Sequence, residues 1–303
     1  MGCNGRVVAA PPADVTVTES LVTALLSAQS PALAELPVAR LASGWDNELF
    51  RLGDSMLVRL PRREASAPLM EHEVRWLPTI GSLVDTEIPL PVFVGRADEQ
   101  YPYTWTIVPF IKGTPVSDVP VAERADLAED LADFFWSLHV PAPSTAPLNP
   151  VRGVSLAQAR FDERVRERLA DEPHRAELLA RWEAWSAAPE FDGVDVWVHG
   201  DAHPHNLVQG PDGRLAGVVD WGDMTAGDPA TDLATAWLTF DAEGRRRFIE
   251  RIGGDGLVDA DTWTRAKAWA LHLGLILVHQ CDDQPWLTAI GRHALEQLLA
   301  EPV

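Results

Sequence analysis

Residues 196–223 read VWVHGDAHPHNLVQGPDGRLAGVVDWGD, and this stretch decides the fold. It contains two short β-branched runs, residues 196–198 and 215–219, and a polar cluster follows each run directly. Pro211-Asp212-Gly213 between them is typical of a tight turn, because proline and glycine readily adopt the backbone angles of turns. We therefore predict a hairpin-like pair of strands whose loops bring together three polar side chains, namely Asp201, Asn206 and Asp220.

This set of oxygen-bearing side chains indicates chemistry that involves a hard cation. Mg²⁺ prefers oxygen ligands, and proteins hold it with one or two carboxylates together with substrate phosphates. His199, His203 and His205 could instead form a transition-metal site. Their spacing is not that of a histidine pair on a helix, and Pro204 interrupts it, so the pattern favours Mg²⁺.

The order His199-Gly200-Asp201, Asn206 and then Asp220-Trp221-Gly222-Asp223 is similar to the catalytic and metal-binding loops of protein kinases. The glycine in place of the kinase arginine and the second aspartate resemble the aminoglycoside phosphotransferase family, a protein-kinase-like group that acts on small molecules. The resemblance implies an α+β, bilobal protein-kinase-like fold. A small N-terminal lobe of antiparallel sheet plus helix, the nucleotide-binding lobe, would cover residues 1–110. A larger, mostly helical C-terminal lobe for catalysis and substrate binding would cover residues 111–303.

The same resemblance implies roles for the polar residues of the motif. Asp201 is the implied catalytic base, which accepts or orients the proton of the attacking hydroxyl. Asn206 and Asp220 are the implied Mg²⁺ ligands, and ATP or GTP is expected between the lobes. His199 is expected to hydrogen-bond the loop backbone rather than to move protons, and Asp232 could brace the loop.

The N-terminal part of the chain predicts a nucleotide-binding region. Gly53-Asp54, between two alternating runs, indicates a hairpin. Ser43 and Gly44 precede it as a turn whose backbone N–H groups could approach phosphates, and in this position they resemble the family's nucleotide-positioning loop. Val108 and Phe110 lie where a strand runs into a Pro/Gly break. This segment resembles the hinge between lobes, whose backbone would hold adenine.

Leu57-Val58-Arg59 occupies the place of the kinase Val-Ala-Ile-Lys strand, with arginine where lysine is expected. Arg59 would then contact the α- and β-phosphates, because a guanidinium group can hold phosphate in a bidentate manner. Glu71 or Glu73 on the next helix would pair with Arg59, and Glu73 fits the family pattern. The alternatives are an exposed strand arginine and a solvated glutamate on a helix face.

Periodicity and capping signals predict the other elements. Thr16 and Glu19 are typical of a capping box, and Ser117 or Asp118 would cap a later helix. Residues 88–95 contain prolines that predict an edge segment. The predicted helices span residues 17–30, 67–77 and 120–139, two stretches within 155–188, one from 226–229 through Phe240, 261–281 and 285–299.

Composition limits the class of partner. The formal net charge is −20, which argues against nucleic acid and favours a cationic substrate. Residues 1–15 lack the apolar core of a signal peptide. Cys3 and Cys281 cannot build a disulfide framework, so a reducing cytoplasm is expected. The apolar run 268–278 is about half a membrane span and predicts a buried helix, so no membrane is expected as a partner.

Together these features predict an ATP- or GTP-dependent O-phosphotransferase that acts as a monomer or weak dimer on a hydroxyl of a small molecule. An aminoglycoside-type antibiotic is the expected acceptor, because Asn206 is present whereas macrolide phosphotransferases resembling this group often lack it. Asp282 and Asp283 could also meet a polycation. The open alternatives are a metabolite kinase of the same fold (choline-, homoserine- or fructosamine-like), a macrolide phosphotransferase and a nucleotide-binding protein without turnover.

Overall fold

The computed structural model describes residues 12–253, 258–279 and 284–302. The chain divides into two compact units. The smaller unit contains Ala10–Lys112 and Val218–Gly222, and the larger unit contains Gly113–Gly217 and Asp223–Val303. The segment that carries Asp220 therefore packs with the N-terminal part of the chain, far from it in sequence.

Helices occur in both units. Those of the smaller unit are α1 (Glu19–Gln29) and α2 (Ala67–Ile80). The described helices of the larger unit are α3 (Ala128–Leu138), α4 (Ala159–Arg168), α5 (Arg175–Trp185), α6 (Ala230–Leu233), α7 (Thr235–Thr239), α8 (Ala242–Gly253), α9 (Ala260–His279) and α10 (Pro285–Leu299). The two helices predicted within residues 155–188 are confirmed as α4 and α5.

The smaller unit is built on an antiparallel sheet. Its strands are β1 (Val38–Ser43), β2 (Asn47–Leu52), β3 (Met56–Pro61), β4 (Phe93–Gly95) and β5 (Trp105–Pro109), in the order β1-β2-β3-β5-β4. The predicted hairpin is confirmed, because β2 and β3 pair across a turn in which Gly53 has a φ of +58°. The predicted edge segment is confirmed as β4. Phe50, Val58 and Trp105 are fully buried and form part of the core that covers this sheet.

Helix α1 covers the sheet of the smaller unit with Leu25 and Leu26, which are fully buried. Its cap differs from the prediction, because Thr18 rather than Thr16 precedes the first turn. Thr18 has an extended backbone, and its side chain accepts a hydrogen bond from the N–H of Leu21 (3.2 Å). An extended backbone directly before the first helical residue is what lets a threonine side chain cap the helix.

The larger unit contains short strands, which are β6 (Thr114–Pro115), β7 (Val196–Val198), β8 (Leu207–Gln209), β9 (Leu215–Val218) and β10 (Thr225–Gly227). The predicted pairing of residues 196–198 with 215–219 is wrong. β7 pairs with β10, whereas β9 belongs to a sheet with the order β6-β8-β9. The turn at Pro211-Asp212-Gly213, where Gly213 has a φ of +80°, lets the chain fold back so that β9 lies beside β8, the strand that precedes it in sequence.

The predicted single helix over residues 120–139 is also wrong. Residues Val121–Leu127 form a 3-10 helix, and α3 begins only at Ala128. Ser117 and Asp118 lie in a separate 3-10 turn and cap neither helix. Pro120 precedes both segments, so it marks the start of the 3-10 helix and not the boundary at Ala128.

Proline also shifts the helix that was predicted to begin within residues 226–229. Thr225–Gly227 is instead strand β10, and α6 begins at Ala230, directly after Pro229. None of the described helices, α9 included, combines the length and the apolar character of a membrane span. Cys3, Cys281, Asp282 and Asp283 lie outside the described residues.

Candidate active site

The loop after β7, residues 199–206, is called the motif loop and is held by one buried carboxylate. Asp232 of α6 accepts hydrogen bonds from the backbone N–H of His199 to Oδ2 (2.8 Å) and of Gly200 to Oδ1 (2.8 Å). Nε2 of His139 lies 3.1 Å from the same carboxylate. Hydrogen bonds to an ionised acceptor are stronger than those to a neutral one. Asp232 therefore braces the motif loop, as predicted.

Glycine is required at position 200 for two reasons. Its φ is +88°, in the left-handed region that side chains disfavour. A Cβ at this position would also lie only 2.4 Å from the backbone O of Asp223. The motif loop can therefore approach the chain after β9 only with glycine at this position.

His199 is fully buried, and its side chain hydrogen-bonds the backbone of the motif loop. Its Nδ1 lies 3.2 Å from the N–H of Asp201, which donates to it. The expected structural role of His199 is confirmed by this contact.

Asp201 carries the ionised carboxylate of the motif loop, and 29% of its side chain is exposed. Nη2 of Arg152 lies 3.6 Å from Oδ1, and Nε2 of His203 lies 3.4 Å from Oδ2. Burial acts to raise the pKa of Asp201, but His203, Arg152 and His199 together bring this pKa well below its usual range. The carboxylate is therefore charged at neutral pH and can accept a hydrogen bond from a hydroxyl.

Asn206 is buried and fixed on Asp201. Its Nδ2 donates to the backbone O of Asp201 (2.9 Å) and lies 3.3 Å from Oδ2 of the same residue. The amide oxygen Oδ1 is therefore directed away from Asp201, and it accepts no hydrogen bond from a described residue. An oxygen of this kind suits Mg²⁺.

The other two histidines of the motif loop do not converge on one point. His203 contacts Asp201, whereas Nδ1 of His205 lies 3.0 Å from Oγ of Ser117. The ring of His205 also stacks on Trp286 at 3.8 Å between centroids. Within the described part of the chain, no group of three or more His, Cys, Asp or Glu residues is arranged to hold a metal ion.

Two residues near Asp201 were missed by the sequence analysis. Arg152 places Nη2 between Asp201 (3.6 Å) and Oδ2 of Asp223 (3.3 Å). Nδ2 of Asn149 donates to Oδ1 of Asp223 (2.8 Å). Both residues follow a proline-rich stretch that reads as a linker, so no periodic signal marks them. Gly153, with a φ of +66°, is the one local sign of a tight turn there.

In the smaller unit, Arg59 of β3 and Glu73 of α2 form a buried ion pair. Both Nη groups of Arg59 bond the carboxylate, with 2.9 Å from Nη2 to Oε1, and the two residues are 6% and 1% exposed. Burial acts to lower the pKa of Arg59, but Glu73 and the charge of Asp220 bring it above its ordinary value. The predicted pairing is confirmed, and an exposed arginine or a solvated glutamate is excluded.

Asp220 lies in the segment 218–222 of the smaller unit and has a φ of +62°. Aspartate tolerates this left-handed backbone better than most residues. The segment is anchored through the backbone of Val218. The N–H of Val218 donates to the backbone O of Glu87 (3.0 Å), and the backbone O of Val218 accepts from Nε1 of the fully buried Trp221 (3.1 Å). Asp220 is thus held near Arg59.

Ser43 and Gly44 lie at the turn between β1 and β2, where their polar groups serve the turn itself. Oγ of Ser43 donates to Oε1 of Glu48 (2.6 Å), and the N–H of Gly44 donates to the backbone O of Asn47 (2.8 Å). Nη1 of Arg62 donates to Oγ of Ser43 (2.9 Å) and to the O of Gly44 (3.0 Å). The role of this turn in nucleotide binding stays a prediction.

Val108 and Phe110 lie at the end of β5. Val108 is buried and pairs with Leu57 of β3. The N–H of Phe110 donates to the backbone O of Ser55 (2.8 Å), and the guanidinium of Arg51 lies 3.6 Å from the centre of the Phe110 ring. The role of these two residues in adenine binding also stays a prediction.

These features define a class of protein. An antiparallel sheet that carries a buried Arg–Glu pair, together with a mostly helical unit that carries a His-Gly-Asp loop, is a protein-kinase-like α+β fold. The chain belongs to the phosphotransferase enzyme family (APH), whose model matches residues 37–269. The predicted family and fold class are confirmed.

Solved structures share this fold over most of their length. APH(2")-IIia, in complex with GDP and kanamycin, has a TM-score of 0.71 and 20% identity, covering 91% of this chain and 97% of its own. Macrolide 2'-phosphotransferase MphH from Brachybacterium faecium has a TM-score of 0.64 and 20% identity, covering 93% of this chain and 98% of its own. At such identities the likeness shows the fold alone.

Among curated proteins, the uncharacterised protein YcbJ of Bacillus subtilis strain 168 is 23% identical over 159 residues. The match covers 47% of this chain and 51% of YcbJ, so the chain spans about half the length of that relative.

Proposed function

We propose that the protein is an O-phosphotransferase that moves the γ-phosphoryl group of ATP or GTP to a hydroxyl of a small molecule. The observation that carries this proposal is the ionised carboxylate of Asp201 on a loop positioned by Asp232 and Asn206. In the proposed step, the acceptor oxygen forms a bond to the γ-phosphorus and the bond from that phosphorus to the β,γ-bridging oxygen breaks. The hydroxyl proton passes to Asp201.

Asp201 acts mainly by position in this proposal. Phosphoryl transfer passes through a loose transition state, so orientation and charge stabilisation supply most of the catalysis. A carboxylate with a low pKa is a weak base, but it is always ready to accept the hydrogen bond of the acceptor hydroxyl. Asn206 keeps that carboxylate from turning away.

Arg59 is the proposed contact for the α- and β-phosphates. Each Nη group of an arginine carries two N–H bonds, so Arg59 can bond Glu73 and still donate to a phosphate oxygen. Glu73 fixes the guanidinium group before the nucleotide arrives, which lowers the entropy lost on binding. Four other residues are proposed to bind the nucleotide, namely Ser43, Gly44, Val108 and Phe110.

Mg²⁺ fits the oxygen groups of two proposed ligands. Asn206 offers an amide oxygen without a described donor, and Asp220 offers a carboxylate. An all-oxygen set with one carboxylate, completed by phosphates, is what Mg²⁺ usually takes. When bound, the ion would neutralise charge on the β- and γ-phosphates.

Aminoglycoside-type antibiotics are the first acceptors to test. They are the molecules named with several solved structures of the same fold, such as kanamycin and gentamicin. A chain with a net charge of −20 would attract a polycation over long distances. A hydroxylated metabolite is the second candidate, which Arg152 beside Asp201 favours.

The test measures Mg²⁺-dependent release of ADP and GDP with a panel of aminoglycosides, macrolides and small amino alcohols. Asp201→Asn should lower acceptor-dependent release by about 10²–10⁴-fold, with nucleotide binding by calorimetry unchanged. Asp192→Asn, an exposed carboxylate outside the motif loop, is the matched control and should keep full activity. Nucleotide binding without acceptor-dependent release in the wild type would favour a binding protein and contradict the proposed turnover.

A further inference from the structure

One side of α4 is basic, although the whole chain is strongly acidic. The chain has 45 acidic and 25 basic residues, yet three arginines at i, i+4 spacing have no carboxylate of a described residue within 4.0 Å. These are Arg160, Arg164 and Arg168. Arg166, on another side of the same helix, pairs with Asp162 (2.9 Å) and Glu183 (2.8 Å).

Like charges at i, i+4 destabilise a helix. The charge of Glu167 opposes part of the repulsion at Arg168, but none of the three arginines forms an ion pair with a described carboxylate, whereas Arg166 forms two. Arg164 is exposed and Arg160 and Arg168 are half-buried, so this side of α4 is open to an anion that would reduce the repulsion.

Buried nitrogens without hydrogen-bond partners surround the same helix. They are Nε of Arg152, Nε of Arg160, Nη1 of Arg168 and Nδ1 of His272. A buried polar group without a partner costs free energy. Three of them are N–H groups of arginines, so a ligand that satisfies these three is an acceptor of hydrogen bonds.

His272 of α9 marks the buried end of this group. It is 2% exposed, and its ring packs edge-on against Phe161 of α4 at 5.1 Å. Burial lowers the pKa of His272 to about 3, and the charges of Arg168, Arg152 and Arg164 act in the same direction. The charges of three guanidinium groups therefore act on one neutral imidazole.

Arg152 connects this group to the motif loop. Its Nη2 lies 3.6 Å from Oδ1 of Asp201 and 3.3 Å from Oδ2 of Asp223. An acceptor hydroxyl must lie within hydrogen-bond reach of Asp201 for the proposed reaction. The part of an acceptor that extends from that hydroxyl towards Arg152 would meet positive charge.

We propose that the acceptor carries an anionic group, a carboxylate or a phosphate ester, besides the hydroxyl that is phosphorylated. The group that binds it is the basic cluster, defined as Arg152, Arg160, Arg164, Arg168 and His272. Guanidinium groups bind carboxylate and phosphate in a bidentate manner, and a polycation would be repelled by the same side chains. This inference rests on the proposed phosphotransfer at Asp201 and selects the metabolite over the aminoglycoside as acceptor.

The test titrates inorganic phosphate into full-length protein saturated with Mg²⁺ and a non-hydrolysable ATP analogue, so that the γ-phosphate position is filled and added phosphate does not report on the nucleotide site. Tryptophan fluorescence is the readout, because Trp182 and Trp269 pack against His272. The double variant Arg164→Gln/Arg168→Gln should bind phosphate at least about tenfold more weakly, the loss expected for charged hydrogen bonds. The matched control Arg166→Gln should bind like the wild type.

Equal phosphate binding by all three proteins, or binding by none, overturns the proposal. Kanamycin that binds the wild type more tightly than phosphate does would also overturn it and favour a cationic acceptor. Calorimetry with ADP and Mg²⁺ is run in parallel, so loss of nucleotide binding reports failure of the proposed function separately. The double variant should fold at least as well as the wild type, because it removes like-charge repulsion.

Discussion

Arg59 in the smaller unit and Arg168 in the larger unit are both withdrawn from water, but only one of them has a carboxylate. Arg59 is 6% exposed and bonds Glu73 with both Nη groups. Arg168 is half-buried, its Nη1 has no partner, and burial lowers its pKa. The cost of burying a charge is offset by an ion pair in the first case, and only by the nearby charge of Glu167 in the second. Paired charge of this kind serves the fold, whereas a half-buried arginine without an ion pair is available to a ligand.

The largest expected effect on stability comes from breaking the ion pair between Arg59 and Glu73. Glu73→Gln leaves Arg59 as a buried charge without an ionised partner, and it should lower the free energy of unfolding by about 3–5 kcal/mol. Glu71→Gln on the exposed side of the same helix is the control and should change it by less than about 0.5 kcal/mol. Urea unfolding measures both, and equal stabilities of the two variants would contradict a structural role for the pair.

The second effect concerns a carboxylate that is paired with backbone rather than with arginine. Asp232→Asn replaces one accepting oxygen by an N–H donor that faces the amide of His199 or Gly200. We expect a loss of about 2–3 kcal/mol in unfolding free energy, because a buried donor is left without an acceptor. The activity should fall in parallel as the motif loop loses its brace. Asp192→Asn is again the control, and a variant as stable as this control would contradict the bracing role.

The third effect is a pH dependence of the unfolding free energy that comes from His272 in the larger unit. The pKa of His272 is about 3 in the folded protein and about 6.5 in an unfolded chain. Between these values the unfolded chain binds a proton that the folded protein does not, so stability falls as the pH falls below about 6.5. At pH 5 this amounts to about 2 kcal/mol.

His272→Phe removes this titration while keeping an aromatic ring beside Phe161. The difference in unfolding free energy between wild type and variant, measured from pH 7.5 to pH 5, isolates the histidine from the carboxylates that also titrate. The wild type should lose about 2 kcal/mol more than the variant over that range. Parallel curves would show that folding does not lower the pKa of His272.

The smallest effect is a gain in stability. Arg168→Gln removes one like-charge i, i+4 contact with Arg164 and should raise the unfolding free energy by about 0.2–0.5 kcal/mol in buffer without phosphate. Arg166→Gln removes a paired charge and should leave stability unchanged or slightly lower. Thermal unfolding of the two variants side by side distinguishes the two kinds of arginine, and a loss in Arg168→Gln would indicate a partner within the protein.

Local signals predicted much of the smaller unit. Alternation around Gly53-Asp54 predicts the β2–β3 hairpin, and the prolines of residues 88–95 predict the edge position of β4. The pairing of Arg59 with Glu73 was predicted from their places in a family pattern. Each of these features depends on residues close together in sequence, or on one contact that the pattern specifies.

Contacts between segments that are distant in sequence were harder to predict from the sequence. The pairing of β7 with β10 rather than with β9 depends on which of several short apolar strands competes best, and periodicity does not rank them. The predicted helix over residues 120–139 is a 3-10 helix up to Leu127, and Thr18 displaced Thr16 as a cap. Both boundaries depend on local backbone geometry that the hydrophobic pattern left undetermined.

By itself, the sequence determined the family, the α+β class and the order of the chemical groups, because spacing and residue type suffice for a motif. Only the tertiary structure brought Arg152 to Asp201 and packed Phe161 of α4 against the ring of His272. The net charge around an active carboxylate is the sum of the charges of groups that are distant in sequence. For this reason a net charge of −20 could favour a cation while the side chains beside Asp201 favour an anion.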